Sequence, residues 1–294
     1  MDIKKYLVLV RAYSIVDVWL LLLVARTLAI SYIPFSIIDI IAGINILCVW
    51  GMLTLSLEAK HRHAYRGHIS YFVPIILALT STIISAFFNI QAIIFLLLTC
   101  LFTYLYIKKE TNPFWGATSS LWRGLYQAAL FFFSLSLYKS ITNFSISDLT
   151  LGAVILLLHL SRNLIADVRD VAFDRLTFTV QFGIHASYYV SLLCYTIASL
   201  LLFFSFSSLF ILAPVLTISS ILLFYDDGFM LHRISIMVTS FTFINIIFLL
   251  QGIPLIYSNL LFMGIVSNFL FYEKVARPSN PVPTVRHEVR FLFK

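Results

Sequence analysis

With 61% hydrophobic and only 11% charged side chains, this 294-residue chain carries more apolar surface than a soluble core of its size can bury, which excludes an ordinary soluble enzyme. A net charge of +7 would suit a nucleic-acid partner, but the basic residues are interleaved with apolar stretches and form no continuous face, so no nucleic acid is expected. Runs such as 92–98 and 149–158 are apolar on all sides, which excludes the alternating strands of a β-barrel and leaves the all-α class.

In chain order, apolar spans are expected near 13–33, 36–57, 71–91, 92–107, 120–138, 149–166, 186–205, 208–224, 233–252 and 254–272, the fourth being short. The expected architecture is a polytopic transmembrane helical bundle of nine to ten spans. No small-residue cleavage site follows the first apolar stretch, and Asp17 and Arg26 lie within it, so it reads as a retained span. If the first two spans form a hairpin, Arg26 and Asp39 both fall at its outer end, where pairing lowers their cost. Asp17 lies toward the other end, where it could line a cavity. Cys48, Cys100 and Cys194 fall inside spans with no metal-ligand spacing and read as packing residues.

The basic residues fix the expected orientation. Lys60, Arg62, Arg66, Lys108, Lys109, Arg123, Arg169 and Arg175 share one side with both termini, whereas Lys139 alone falls in an opposite loop. The positive-inside rule makes that shared side cytoplasmic. The long loops 58–70, 108–119 and 167–185 lie there too, which places the functional mouth on that face. No linker divides the chain, so residues 1–272 are expected to form one membrane domain and 273–294 a basic cytoplasmic tail.

Charge is concentrated in the stretch from Arg162 to Arg175, where Asp167, Asp170 and Asp174 alternate with Arg162, Arg169 and Arg175. Aspartates at i, i+3 and i+7 lie along one helical stripe and repel each other unless a cation sits among them. Mg²⁺ suits such a stripe, because it takes one or two carboxylates and leaves its other positions to water and phosphate oxygens. The alternative on spacing alone is a solvated loop with local Asp to Arg pairs. Arg62, Arg66, Lys108, Lys109, Arg123 and Arg169 on the same face could contact a diphosphate, although each alone is equally a positive-inside anchor. The histidines at 61, 63 and 68 lack the spacing of a helical metal pair, and Asp226-Asp227-Gly228 reads as a turn.

The segment from Arg162 through Asp167, Asp170 and Asp174 resembles the second aspartate-rich motif, R-E-x-x-x-D-x-x-D-x-x-x-D, of the UbiA superfamily of intramembrane prenyltransferases. Leu176 to Gly183 resembles the T-L-P-V-x-x-G that commonly follows it, and Tyr106 to Lys109 is similar to the family's Y-x-x-K-R. Lys4 to Ser14 looks like the family opening K-x-Y-x-x-L-x-R-P-x-S, and Arg62 with Gly67 to Ser70 resembles R-P-x-x-x-G-x-I-S. The likeness runs from the start to about residue 252. Two positions depart from it: the first motif, N-x-x-x-D-x-x-x-D, falls on Trp50, Thr54 and Glu58 and keeps one carboxylate, and Asn163 stands for the usual Glu.

The resemblance implies a bundle around a central, lipid-accessible cavity, with Mg²⁺ as cofactor and a polyprenyl diphosphate as donor. It places the metal on Asp167, Asp170, Asp174 and Glu58, with Asn163 and the basic residues on the diphosphate and Lys108 assisting catalysis. The implied reaction is prenyl transfer to a hydrophobic or aromatic acceptor in the lipid membrane. Two alternatives stand beside it: a degenerate relative that binds an isoprenoid lipid or a partner, and a changed reaction such as cyclisation or phospho-sugar transfer to a lipid phosphate.

Overall fold

A computed structural model describes residues 15–30, 36–61, 72–172, 174–224 and 228–271. Among the described residues there are α-helices and short 3-10 turns and no strands, as the apolar runs require. The helices are α1 (Ile15–Ala29), α2 (Ile37–His61), α3 (Phe72–Phe88), α4 (Ala92–Ile107), α5 (Pro113–Ala117) and α6 (Ser119–Ser136). They continue as α7 (Ile146–Asp170), α8 (Phe178–Phe182), α9 (Ile184–Phe206), α10 (Ala213–Phe224), α11 (Gly228–Leu250) and α12 (Leu255–Phe271). Each apolar stretch read from the sequence contains one helix, and those at Phe72–Phe88, Leu209–Leu223 and Leu255–Leu270 are among the shorter ones. The two short helices, α5 and α8, belong to loops. Among the described residues, five helical stretches are long and apolar enough to cross a membrane: Ile37–Ser56, Ala92–Glu110, Ile146–Asp170, Ile184–Phe206 and Gly228–Leu250. The protein is an integral membrane protein of helical type.

Local chemistry sets the element ends. α7 opens on a reciprocal capping box in which the Asp148 N–H donates to Ser145 Oγ and the Ser145 N–H donates to Asp148 Oδ2. Lys139 also donates to Asp148, at 2.6 Å, so this loop cation is tied to the same cap. α5 starts with Asn112 capping the Trp115 N–H at 3.0 Å and Pro113 in the first turn. Gly183, at φ 93°, makes the turn from α8 into α9.

α7 packs between α6 and α9, α11 contacts both α7 and α1, and α1 returns to α6. These four helices, α1, α6, α7 and α11, therefore surround the interior. Tyr126, Phe131, Phe133, Leu158 and Phe243 are fully buried in the apolar core, while Phe72, Phe87, Ile146 and Phe204 face outward, as lipid contact requires. Polar ties join neighbours inside this apolar packing. Asn45 donates to Ser85 and accepts from Ser81, linking α2 to α3. Asn245 and Asn259 join α11 to α12, and Asn259 donates to the Phe210 carbonyl. Such ties lack competition from water, and each contributes on the order of 1 kcal/mol.

The expected hairpin pair is present. Arg26 Nε lies 2.6 Å from Asp39 Oδ1, and Asp39 also accepts from the Ser36 N–H and the Tyr138 hydroxyl. The three cysteines are free thiols, and Cys100 packs its sulfur against Met52.

Candidate active site

The last two turns of α7 carry Asn163, Asp167 and Asp170 at i, i+4 and i+7, so all three share a stripe. Beyond the helix end the Asp174 N–H donates to the Asp170 carbonyl at 3.1 Å, and this extra turn brings Asp174 back toward the same side. Asp167 is buried and accepts from Ser120 Oγ, at the start of α6, at 2.9 Å. Asp174 Oδ1 lies 3.4 Å from Lys109 Nζ, and both side chains are almost entirely enclosed. The Lys109 ammonium therefore pairs with Asp174, while Asp167 is held by Ser120.

Asp170 behaves differently, because Arg169 grips it through two guanidinium nitrogens, with Nε at 2.7 Å. Arg169 is steadied in turn by His232 Nδ1 of α11 at 3.0 Å. The local Asp to Arg pairing considered from the sequence thus holds at Asp170, while Asp167 and Asp174 face Ser120 and Lys109.

The remaining sequence candidates are distributed around this centre. Lys108 sends its ammonium over the Tyr104 ring, 4.3 Å from the centroid, and toward Trp115. It is Lys109 that reaches the carboxylates. Arg123 is buried one turn below Ser120, its guanidinium 5.0 Å from the Trp50 ring centroid and 5.2 Å from that of Tyr126. Asn163 donates to the His159 carbonyl at 2.6 Å. Thr54 is buried and donates to the Trp50 and Gly51 carbonyls of its own helix. Glu58 lies on α2, its side chain outside the description, and Arg62 and Arg66 lie outside the described residues.

Several contributors were not expected. Ser120 and His232 position the carboxylate cluster from α6 and α11. Asp17 accepts from Arg162 of α7 and from Ser240 of α11, so it links three helices inside the bundle. An intramembrane carboxylate in the first span signalled that some partner was needed, but nothing in the sequence named it.

Among the described residues, no three His, Cys, Asp or Glu side chains converge as a ready metal cage. Mg²⁺ does not need one, since it binds through one or two carboxylates together with water and phosphate oxygens. Asp167 and Asp174 supply hard oxygen donors at the end of α7, and that donor set fits Mg²⁺. Burial pushes the Asp174 carboxyl above the usual carboxylate range; Lys109 opposes the shift and Asp170 adds to it. Cation binding needs the deprotonated form. Divalent-cation affinity should therefore fall with decreasing pH, beginning at a higher pH than an ordinary aspartate would give. Mn²⁺ titration calorimetry between pH 8 and pH 5, values set on the order of typical carboxylate and histidine ranges, checks this.

The loop behind Asp174 rests directly on α5. A Cβ at Gly116 would meet the Leu176 carbonyl oxygen at 1.9 Å, a backbone atom that cannot rotate away. Gln181 closes the contact by donating to the Pro113 carbonyl at 2.7 Å and to the Leu176 carbonyl. Gly116→Ala should displace the Asp174 loop and weaken divalent-cation binding by about 10–100-fold, the scale seen when support behind a ligand is lost. Unchanged Mn²⁺ affinity in the folded variant would show that the loop is not seated this way.

The fold and the carboxylate cluster define a membrane protein, all-helical over the described residues, with an acidic centre beside Lys109 at one end of its bundle. Solved structures share this fold. A UbiA homologue from Archaeoglobus fulgidus bound to Cd²⁺ aligns with a TM-score of 0.63 and 16% identity over 85% of this chain and 100% of that one. A structure of a UbiA homologue from the same organism bound to DMAPP and Mg²⁺ aligns at 0.57, with 14% identity over 85% and 100% of the two chains. A digeranylgeranylglyceryl phosphate synthase aligns at 0.58, with 16% identity over 87% and 98%. No protein-family model and no curated protein matches the sequence. At this level of identity, what is shared is the fold.

Proposed function

We propose that this chain is a UbiA-superfamily protein acting as an integral-membrane, Mg²⁺-dependent prenyltransferase. It would move an isoprenoid chain from a polyprenyl diphosphate to a hydrophobic or aromatic acceptor. The observation that carries this reading is the pair of enclosed carboxylates at the end of α7, Asp167 held by Ser120 and Asp174 by Lys109, at the end of the four-helix interior. Likeness in fold to a homologue bound to DMAPP and Mg²⁺ supports it.

In this reading Asp167 and Asp174 hold the metal, with Asp170 joining once released from Arg169 and Glu58 contributing from α2. Bound Mg²⁺ would neutralise the diphosphate as it departs. Lys109 adds a fixed positive charge beside the leaving group, and Lys108, Arg62, Arg66, Arg123, Arg169 and Asn163 contribute around it. Ser120 orients Asp167. Apolar walls from α1, α6, α7 and α11 keep water from the allylic cation. The proposal includes nine to ten spans, one domain over residues 1–272, and a cytoplasmic mouth, termini and 273–294 tail.

A second reading, a degenerate relative that binds an isoprenoid lipid without chemistry, is favoured by the first-motif positions. Trp50 packs on Arg123 and Thr54 bonds to its own helix, so neither offers a carboxylate. The two readings separate when purified protein is incubated with Mg²⁺ and allylic diphosphates of graded chain length. Diphosphate release with a prenylated product by mass spectrometry supports the enzyme, whereas a cyclised product points to the changed reaction. Folded protein that releases no diphosphate from any donor refutes the enzyme reading.

A further inference from the structure

Of the three carboxylates, Asp170 lies at the open edge of the centre. Its side chain is 38% exposed and that of Arg169 29%, whereas Asp167 and Asp174 are enclosed. A partly exposed ion pair contributes little to stability, so this is the pair that a stronger partner displaces most easily.

The way the guanidinium is held decides what it can do when displaced. Two of its nitrogens, Nε and Nη2, form a fork on the two oxygens of Asp170. The third, Nη1, lies 3.0 Å from Nδ1 of His232. A guanidinium only donates, so Nδ1 accepts and the ring proton sits on Nε2. Helix packing builds this contact. Gly228, the first residue of α11, rests against α7, where a Cβ would stand 3.0 Å from Val168 Cγ1 and 3.1 Å from the Arg169 backbone nitrogen. His232 follows one turn later on the same side of α11. The anchor on Nη1 thus comes from a second helix and does not depend on Asp170.

The same planar fork fits a carboxylate or two oxygens of a phosphate. We propose, resting on the prenyl-diphosphate reading, that His232 is a positioning residue, the pivot on which Arg169 exchanges Asp170 for the diphosphate of the donor. While its fork is on Asp170, Arg169 neutralises a metal ligand and so opposes a divalent cation that arrives alone. When Asp170 turns to the cation, Nη1 stays on His232, and Nε and Nη2 are presented to phosphate oxygens. Only hydrogen bonds change partners in this exchange. Arg169 therefore disfavours the cation without its diphosphate and favours the two together, and His232 keeps the fork in place between the two roles.

The two roles predict opposite signs for a single substitution. The full chain in lipid nanodiscs is titrated calorimetrically with Mn²⁺ alone, and separately with inorganic diphosphate at saturating Mg²⁺, a head group shared by donors of every chain length. Arg169→Gln should bind Mn²⁺ about 2–5-fold more tightly, the scale of freeing a partly exposed pair. The same variant should bind diphosphate at least about 10-fold more weakly, as loss of a charge-assisted fork requires. His232→Leu leaves the fork on Asp170, so its Mn²⁺ affinity should match wild type while diphosphate binding falls about 10-fold, the low end for losing support behind a binding group. His232→Asn sets an amide oxygen where Nδ1 stands and should return diphosphate binding to the wild-type range. Arg169→Gln that binds Mn²⁺ more weakly, or diphosphate as well as wild type, overturns the proposal. So does a folded His232→Asn with diphosphate binding as poor as that of Arg169→Gln, a comparison that holds even if His232→Leu does not fold. Each of these results leaves the prenyl-diphosphate reading standing as long as wild type binds diphosphate. Wild type that binds none at saturating Mg²⁺ removes both.

Discussion

In the Asp167→Ala variant, Mg²⁺-dependent diphosphate release should fall by about 10²–10³-fold, the scale of losing a principal electrostatic contact to a developing anion. Asp167 is the buried member of the stripe, fixed by Ser120. Asp170→Ala should be milder, because that carboxylate is more exposed and already held by Arg169. Steady-state release assays on the two variants, with helicity matched by circular dichroism, give the comparison. Equal losses would mean that Asp170 leaves Arg169 during turnover and carries the metal as fully as Asp167. Retained activity in Asp167→Ala would remove the metal–diphosphate site from this end of the bundle.

The largest expected change in stability lies at the opposite end. Arg26→Leu leaves Asp39 buried without its guanidinium, although Ser36 and Tyr138 still donate to it. Breaking a buried pair from one side costs about 3–5 kcal/mol, whereas replacing both partners with apolar residues is often close to neutral. Thermal unfolding in detergent should therefore show a large drop in midpoint for Arg26→Leu and substantial recovery in Arg26→Leu with Asp39→Leu. If the double variant is as unstable as the single one, the residues do not act as a pair.

Much of this architecture was readable because hydrocarbon is a strict solvent. A backbone in lipid must satisfy its own hydrogen bonds, so each long apolar run could only be a helix. The same severity made Arg26 and Asp39 legible as partners, since neither is tolerable alone. The acidic stripe was visible because helical spacing puts i, i+3 and i+7 on one side, although α7 ends at Asp170 and Asp174 returns through the turn beyond it. The choice between Lys108 and Lys109 was hidden by a change of winding: α4 ends at Ile107 and residues Lys108–Glu110 form a 3-10 turn. The angular step there is about 120° instead of about 100°, which alters which neighbour faces inward. Ser120 and His232 were invisible for another reason. They meet α7 from helices 47 and 63 residues away, and a hydroxyl or imidazole on a helix has no pattern that names a distant partner.

Asp17 connects the structure to the order in which the chain is made. Its two partners, Arg162 and Ser240, lie 145 and 223 residues downstream. When α1 enters the bilayer, neither has been made, and among the described residues of α1 and α2 nothing bonds to Asp17. A helix from early in the chain is thus among the last to be settled. Its final seat is available only after α11 has emerged, and a nascent chain stopped before that point would present an unsatisfied acidic group to whatever machinery surveys the membrane.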